Sequence, residues 1–294
     1  MVAIVLNPTS GVMQRPGVRQ EIDDLFREAG IDAHVRAVAN PDDTPATARA
    51  ALDTRPAALI AAGGDGTVSA VAGAVAGSAT PMGVLPLGTL NHFAKDAGIP
   101  IDLKKAVQTI AAGHTRQVDV GRVNDRIFVN NASLGVYPSF VESRDRFLEQ
   151  GRWKVAAVAL AMADVLRREG EMVIRLEGDS ARVLARTPFV FVGNNEYLAE
   201  GLNMGGRSRL DAGTLFAYYA PPVRTRDLPK LFGQALFGRA RRDRALRSMA
   251  TTEMWVETFT PAIRVACDGE VLTLESPLHC QSWPRALTLF CPVD

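Results

Sequence analysis

Residues 57–77 read "AALIAAGGDGTVSAVAGAVAG". The apolar run Ala57–Ala62 suits a buried strand, and a helix of small residues follows from about Val68. Between them Asp65 sits among Gly63, Gly64 and Gly66. In a parallel α/β sheet, ligands lie beyond the carboxyl ends of the strands. A helix that opens there points free backbone N–H groups and a partial positive charge outward, which suits a phosphate. Glycine lets that phosphate reach the main chain without meeting a Cβ. Thr67 has a hydroxyl to offer a phosphate oxygen. Asp65 repels phosphate, so a carboxylate there is expected to handle Mg²⁺ or a hydroxyl proton. The string lacks the Gly-Lys-Ser/Thr ending of a Walker loop and the spacing of a dinucleotide fingerprint.

The surrounding segments extend the same reading. Val2–Leu6 is a buried strand ended by Asn7-Pro8. Gly17–Gly30 has apolar residues at Val18, Ile22, Leu25 and Phe26, a helical spacing with Gly30 as stop. "AHVRAVA" is a strand, "TPATARAALD" a helix with Thr44 as N-cap and Pro45 at its first position, and "MGVLPLG" another strand. Alternating strands and helices predict an α/β domain with a parallel sheet. From about Asp119 the texture turns mostly β. "VDVGRVNDRIFVNNASLGV" reads as a hairpin turning at Asn124-Asp125. Later strands are "MVIRLEG", "ARTPFVFVGN", "TLFAYYAP", "MWVETF", "IRVACDGE" and "ALTLFCP", with helical interruptions near 143–169 and 225–248. Two domains are expected: an α/β nucleotide-binding domain over 1–118 and a β-sandwich or barrel over 119–294, its last strand free to return to the first domain.

The chain has 294 residues, is 47% hydrophobic and carries a net charge of +1. That is enough for two cores, and the balance speaks against nucleic acid as a partner. Cys267, Cys280 and Cys291 have no metal-ligand spacing and read as buried thiols of a reducing cytoplasm. "MVAIVLNPTSG" does not read as a signal peptide, and no run approaches the roughly 18 apolar residues of a membrane span.

Five segments together resemble the diacylglycerol kinase catalytic-domain family, the bacterial lipid kinases similar to sphingosine and ceramide kinases. They are "LNPTSG" (Leu6–Gly11), "GGDGT" (Gly63–Thr67), "PLGTLNHFA" (Pro86–Ala94), "NNASLG" (Asn130–Gly135) and "CDGE" (Cys267–Glu270). They stand in family order. The resemblance implies ATP-dependent, Mg²⁺-assisted phosphorylation of a lipid hydroxyl in a cleft between an α/β domain and a β-sandwich. It makes Glu270 the general base, with Asp65 acting through magnesium and water. It assigns Asn7, Thr9, Ser10, Gly11, Gly63, Gly64, Gly66, Thr67, Thr89 and Asn91 to the nucleotide.

Two departures from the family pattern bear on substrate and metal. His92 stands where the family usually has Asp. It is expected either to pair with Asp65 or to face the lipid head group. In "SRLDAGTLFAYY" Ala212 takes the place of an Asp that holds a structural magnesium, and Asp211 lies one residue early, so no structural metal is expected there. The family's threonine after the second strand is also missing, Ala37–Asn40 standing near its place.

Val223–Ala250 carries eight Arg or Lys against two Asp, with a helical apolar stripe at Leu228, Leu231, Phe232, Ala235 and Leu236. A basic amphipathic helix suits an anionic membrane surface. Trp153, flanked by Arg and Lys, is a second interfacial candidate. The expectation is a cytoplasmic protein that meets the membrane peripherally; a homodimer is compatible with the sequence. Two rival readings stand beside the lipid kinase. One is an NAD kinase-like enzyme, with Asn195-Glu196 as its nucleoside-holding pair. The other is a non-catalytic nucleotide or lipid binder on a kinase fold.

Overall fold

The computed structural model describes residues 1–11, 17–136, 138–139, 172–179, 181–198, 206–219 and 247–293. Their contacts divide the chain into two compact units. Unit 1 comprises Met1–Val120, Arg209–Ala212 and Trp283–Asp294, and unit 2 comprises Gly121–Ser208 and Gly213–Ser282.

Unit 1 opens with strand β1 (Val2–Leu6), helix α1 (Val18–Glu28), β2 (Ala33–Ala37), α2 (Thr44–Leu52), β3 (Leu59–Gly63), α3 (Asp65–Val75) and β4 (Met82–Pro86). Helices α4 (His92–Asp96) and α5 (Leu103–Ala112) and strand β5 (Thr115–Val123) follow. The order β2-β1-β3-β4 is parallel throughout. β1, β3 and β4 are buried at every position, as strands covered on both faces must be. The apolar face of α1 buries Val18, Ile22 and Phe26, the residues its helical spacing singled out. Gly30 ends that turn at φ 70°, a conformation glycine adopts without steric cost.

Unit 2 holds β6 (Arg126–Phe128), β7 (Asn131–Gly135), β8 (Met172–Gly178), β9 (Arg182–Thr187), β10 (Phe189–Asn194) and β11 (Leu215–Tyr219). β12 (Arg247–Thr251), β13 (Glu253–Thr258), β14 (Ala262–Cys267), β15 (Glu270–Glu275) and β16 (Leu278–Phe290) complete it. Six strands form an antiparallel sheet in the order β12-β11-β10-β7-β14-β15. β9, β8, β13 and the start of β16 pair antiparallel in a second layer. The two layers share one apolar core, in which Leu134, Val192 and Leu215 pack with Ile174, Met254 and Leu278. Burial pushes the Cys280 thiol inside that core up to about 12. β16 then ends in unit 1, where Leu289 pairs in parallel with Met82 of β4. Among the described residues no helix is long and apolar enough to cross a membrane.

Several sequence expectations shift. Thr44 is the first residue of α2 rather than its cap, because a 3₁₀ turn at Pro41–Asp43 runs straight into the helix; Thr44 Oγ1 donates to Pro41 O at 2.5 Å. α3 begins at Asp65, three residues before Val68, so Asp65, Gly66 and Thr67 are helical. Pro188, which has no N–H for a ladder, divides "ARTPFVFVGN" into β9 and β10. The second strand of the first hairpin breaks into β6 and β7 at Val129-Asn130, where Asp268 takes the backbone N–H groups. "IRVACDGE" is not one strand but a hairpin of β14 and β15 turning at Asp268-Gly269, with φ 48° and 90°. Arg247 and Ser248 belong to β12 and not to a helix. Trp153, the helical interruption at 143–169 and the basic stretch up to residue 246 lie outside the described residues.

Candidate active site

β1, β3 and β4 end level with one another, Leu6 beside Ala62 and Gly63 beside Pro86. Backbone bonds continue past these ends. Asn7 N–H donates to Ala62 O at 3.0 Å, and Leu87 N–H donates to Gly63 O at 2.9 Å. Three loops therefore leave the sheet side by side. In the first, Asn7 Oδ1 accepts from Thr9 N–H at 3.0 Å and Thr9 Oγ1 at 2.8 Å, the side-chain-closed turn that Asn favours. Ser10 is buried beneath it and donates its N–H to Asn7 O. A Cβ on Gly11 would stand 3.2 Å from Thr89 Oγ1, so the first loop touches the third.

The four residues of the glycine turn assigned to the nucleotide have different reasons for being what they are. A Cβ on Gly63 would lie 2.3 Å from Thr67 Oγ1; Gly63 makes room for the Thr67 side chain. Thr67 is 3% exposed and its hydroxyl is buried with no hydrogen-bond partner among the described residues, the orphaned polar atom of the site. Gly64 has an ordinary extended φ of −87°, and its Cβ would meet Gly88 Cα at 3.3 Å. A Cβ on Gly88 would come within 2.5 Å of Gly64 Cα. The second and third loops thus pack glycine on glycine. Gly66 differs: it is exposed, and a Cβ there would touch nothing within 4 Å. Packing gives no reason for glycine inside the first turn of α3, whereas close approach of a ligand to the helix N-terminus does.

Asn91 anchors the third loop. At φ 51° and 5% exposed, it accepts from Gly88 N–H at 2.9 Å through Oδ1 and donates to Gly88 O at 2.9 Å through Nδ2. Its side chain is occupied in shaping the 88–91 turn. Asp65 Oδ1 accepts the Phe93 N–H at 3.3 Å, which ties the head of α3 to α4. His92 is exposed and its side chain makes no hydrogen bond or ion pair among the described residues; of its two expected roles, the pairing with Asp65 is not formed, and Asp65 bonds the next residue's backbone instead. Asp65 is the only acidic residue within 7–11, 63–67 and 86–92. One carboxylate at the helix head fits Mg²⁺ arriving with a nucleotide, since that ion takes one or two protein carboxylates plus phosphate oxygens.

Glu270 belongs to unit 2, where it heads β15 opposite Cys267 and is exposed. The turn before it is held by a network that the sequence did not announce. Asp268 accepts Val129 N–H at 2.8 Å, Asn130 N–H at 2.8 Å and Asn131 N–H at 3.0 Å. Arg207, 5% exposed, donates to Val129 O at 2.6 Å, Asn194 O at 3.0 Å and Asn130 Oδ1 at 2.8 Å. Its guanidinium carbon lies 5.5 Å from the Tyr197 ring centre. Asn195, the residue of the NAD kinase-like reading, is buried at φ 70°. The only advance signal for Arg207 was an arginine set among small residues in "MGGRSRLDAG". Asp211 is bound by Arg209 Nε at 3.0 Å, and that hydrogen bond holds its carboxyl below the usual range. Among the described residues no three His, Cys, Asp or Glu side chains gather as a metal site.

Residues 1–123 match the family model of the diacylglycerol kinase catalytic domain. The chain is 41% identical over 123 residues to the "Probable lipid kinase YegS-like" protein of Klebsiella pneumoniae (strain 342), covering 41% of this chain and 41% of that one. It is 36% identical over 134 residues to the diacylglycerol kinase of Staphylococcus epidermidis (strain ATCC 12228 / FDA PCI 1200), covering 45% and 42%. The matched stretch therefore spans about two fifths of the length of these relatives. A crystal structure of a diacylglycerol kinase from Bacillus anthracis str. Sterne superimposes with a TM-score of 0.69 at 17% identity, over 99% of this chain and 96% of that one. A further structure from that organism reaches 0.76 at 21% identity over the same shares. At such identity these two speak for the fold alone.

Proposed function

We propose that this chain, whose residues 1–123 match the diacylglycerol kinase catalytic-domain model, is an ATP-dependent kinase of a membrane-lipid hydroxyl. The observation that carries the proposal is the junction of the three loops, where Gly11 meets Thr89 and Gly64 meets Gly88 around the open head of α3. The N–H groups of Asp65, Gly66 and Thr67 have no acceptor within the helix and are available to phosphate oxygens. Asn7, Thr9 and Ser10 shape the first rim of that cradle, and Thr89 and Asn91 the third. Asp65 would hold Mg²⁺, and that ion would supply neutralisation of the phosphate charge. Phosphoryl transfer then needs one acceptor for the proton of the attacking hydroxyl. Glu270 takes that proton as the lipid oxygen bonds to the γ-phosphorus and ADP leaves. Exposed at the head of a tight hairpin, Glu270 has a carboxylate accessible for this.

The names of the matched relatives make diacylglycerol the first lipid to test; a ceramide or sphingoid base is the next. His92, exposed beside Leu90 on the same loop, faces the head group in this reading. Docking on an anionic membrane is assigned to the basic stretch Val223–Ala250 on the strength of its sequence, with a homodimer as a compatible assembly. The domains proposed are the α/β unit for nucleotide and the sandwich for lipid.

Incubation of the protein with radiolabelled ATP, Mg²⁺ and a total bacterial lipid extract tests the proposal. Label in the organic phase, lost when Mg²⁺ is chelated, supports it. Label on NAD under the same conditions favours the NAD kinase-like reading, and none with intact ATP binding favours a regulatory binder.

A further inference from the structure

The tripeptide Val129–Asn131 has all of its backbone polar groups accounted for. Its three N–H groups converge on the single Asp268 carboxylate, at 2.8, 2.8 and 3.0 Å. Its carbonyls are equally occupied. Val129 O accepts from Arg207 at 2.6 Å and Asn194 Nδ2 at 3.0 Å, Asn130 O from Asn194 N–H at 2.9 Å, and Asn131 O from Asp268 N–H at 2.9 Å. Successive N–H groups that point to one place form an anion-binding concavity. Here the anion is the chain's own. On the other side stands a buried guanidinium. The Val129–Asn130 peptide lies between that cation at its carbonyl and the anion at its amide, so each charge strengthens the other's hydrogen bond. Buried or half-buried charges fixed in this way specify one local geometry.

That geometry ends at Glu270. Asp268 and Gly269 are the two turn residues between Cys267 and Glu270, at φ 48° and 90°, and only a side chain that tolerates the left-handed region can hold the first place. Cys267 is in turn paired with Ala132 of β7. We infer that Asp268 is a positioning residue for the Glu270 carboxylate, and that Arg207 completes the device by holding the Val129 carbonyl and the Asn130 side chain. The inference rests on the reading of Glu270 as the base. Asp268 acts through Glu270 and itself exchanges no proton with substrate.

The experiment uses the full chain, short-chain diacylglycerol in detergent or a total lipid extract, and radiolabelled ATP. Asp268→Asn keeps the shape and the tolerance of positive φ, but presents an NH₂ to one of three donors. Displacement of a reacting group by about 1 Å costs up to roughly a hundredfold in rate. The expected result is a fall in kcat of about tenfold to a hundredfold with KM for ATP unchanged. Arg207→Lys keeps the charge, loses the two-pronged donation and falls between Asp268→Asn and the parent; it serves if the Asn variant does not fold. The decisive arm is the double variant. If Asp268 works through Glu270, then Asp268→Asn added to Glu270→Gln lowers turnover no further, whereas independent effects multiply. Multiplying effects, or parent-like kcat in Asp268→Asn and Arg207→Lys, overturn the inference while Glu270→Gln still reports on the base. Parent-like turnover in Glu270→Gln, or a parent chain that labels no lipid, overturns the base or the kinase reading first, and this inference with it.

Discussion

Gly64 and Gly88 meet backbone to backbone, so closely that a Cβ on Gly88 would lie 2.5 Å from Gly64 Cα and 2.8 Å from Asn91 Oδ1. The turn after β3 and the turn after β4 are one packed object. Gly88→Ala should overpack that junction at a cost of about 1–3 kcal/mol. A melting temperature lowered by several degrees in scanning calorimetry is expected; an unchanged one would mean that the loops need not touch.

Gly66 gives the complementary test. Gly66→Ala places a methyl group in open space on a helix and should stabilise the chain by about 0.5–1 kcal/mol. ATP affinity should fall all the same, since the methyl stands where phosphate approaches the main chain. Gly64→Val cannot separate these effects, because its side chain would strike Gly88. Unchanged ATP affinity of Gly66→Ala by titration calorimetry would remove the phosphate cradle from α3.

Asn91 combines two requirements, a positive φ and two 2.9 Å bonds to Gly88. Asn91→Ala loses both. Unmet buried partners cost about 1–3 kcal/mol and the left-handed backbone about 1–2 more. Asn91→Gly keeps the backbone and loses only the bonds, so it should be the milder of the two. Equal denaturation midpoints for the two variants would show that the conformation at Asn91 carries no strain.

Glu270→Gln keeps size and removes the proton acceptor. Turnover should drop by about 10² to 10⁴, the usual worth of a general base. ATP affinity should hardly move, because the substitution keeps the size of the side chain and Glu270 is assigned to the lipid hydroxyl rather than to the nucleotide. Parent-like kcat on any lipid the parent phosphorylates would withdraw the role from Glu270.

Replacing Arg239, Arg241, Arg242 and Arg244 with Gln should weaken binding to anionic vesicles. Each basic residue near such a surface contributes about 1 kcal/mol, so four together amount to several decades of partitioning. Added salt should mimic the variant. Equal vesicle binding by variant and parent at low salt would send the search for a docking face elsewhere, first to Trp153.

The parallel sheet could be read from sequence because its signals are local. Val2–Leu6 and Ala57–Ala62 are continuous apolar runs, and each is followed closely by turn-forming residues, Asn7-Pro8 and the glycines from Gly63. The loop junction could be read only in part. Gly63, Gly64 and Gly66 look alike in a sequence, yet one makes room for Thr67, one touches Gly88 and one is open. Which reason applies depends on a neighbour that folding supplies. Arg207 and Asp268 were missed for the same cause. Their common partner is the backbone of Val129–Asn131, about 80 and 140 residues away in the chain, and a main-chain partner leaves no mark on side-chain identity. Asp268-Gly269 did carry the composition of a hairpin turn, but the apolar run before it drew the whole of "IRVACDGE" into one strand.

The parallel pairing of Leu289 with Met82 sets a clock on biosynthesis. β4 leaves the ribosome roughly 200 residues ahead of its β16 neighbour, which at about 5–20 residues per second is a delay of some 10–40 s. For that interval one edge of β4 awaits a partner that does not yet exist, and the intervening sandwich is made in the meantime. Unit 1 is thus started first and closed last.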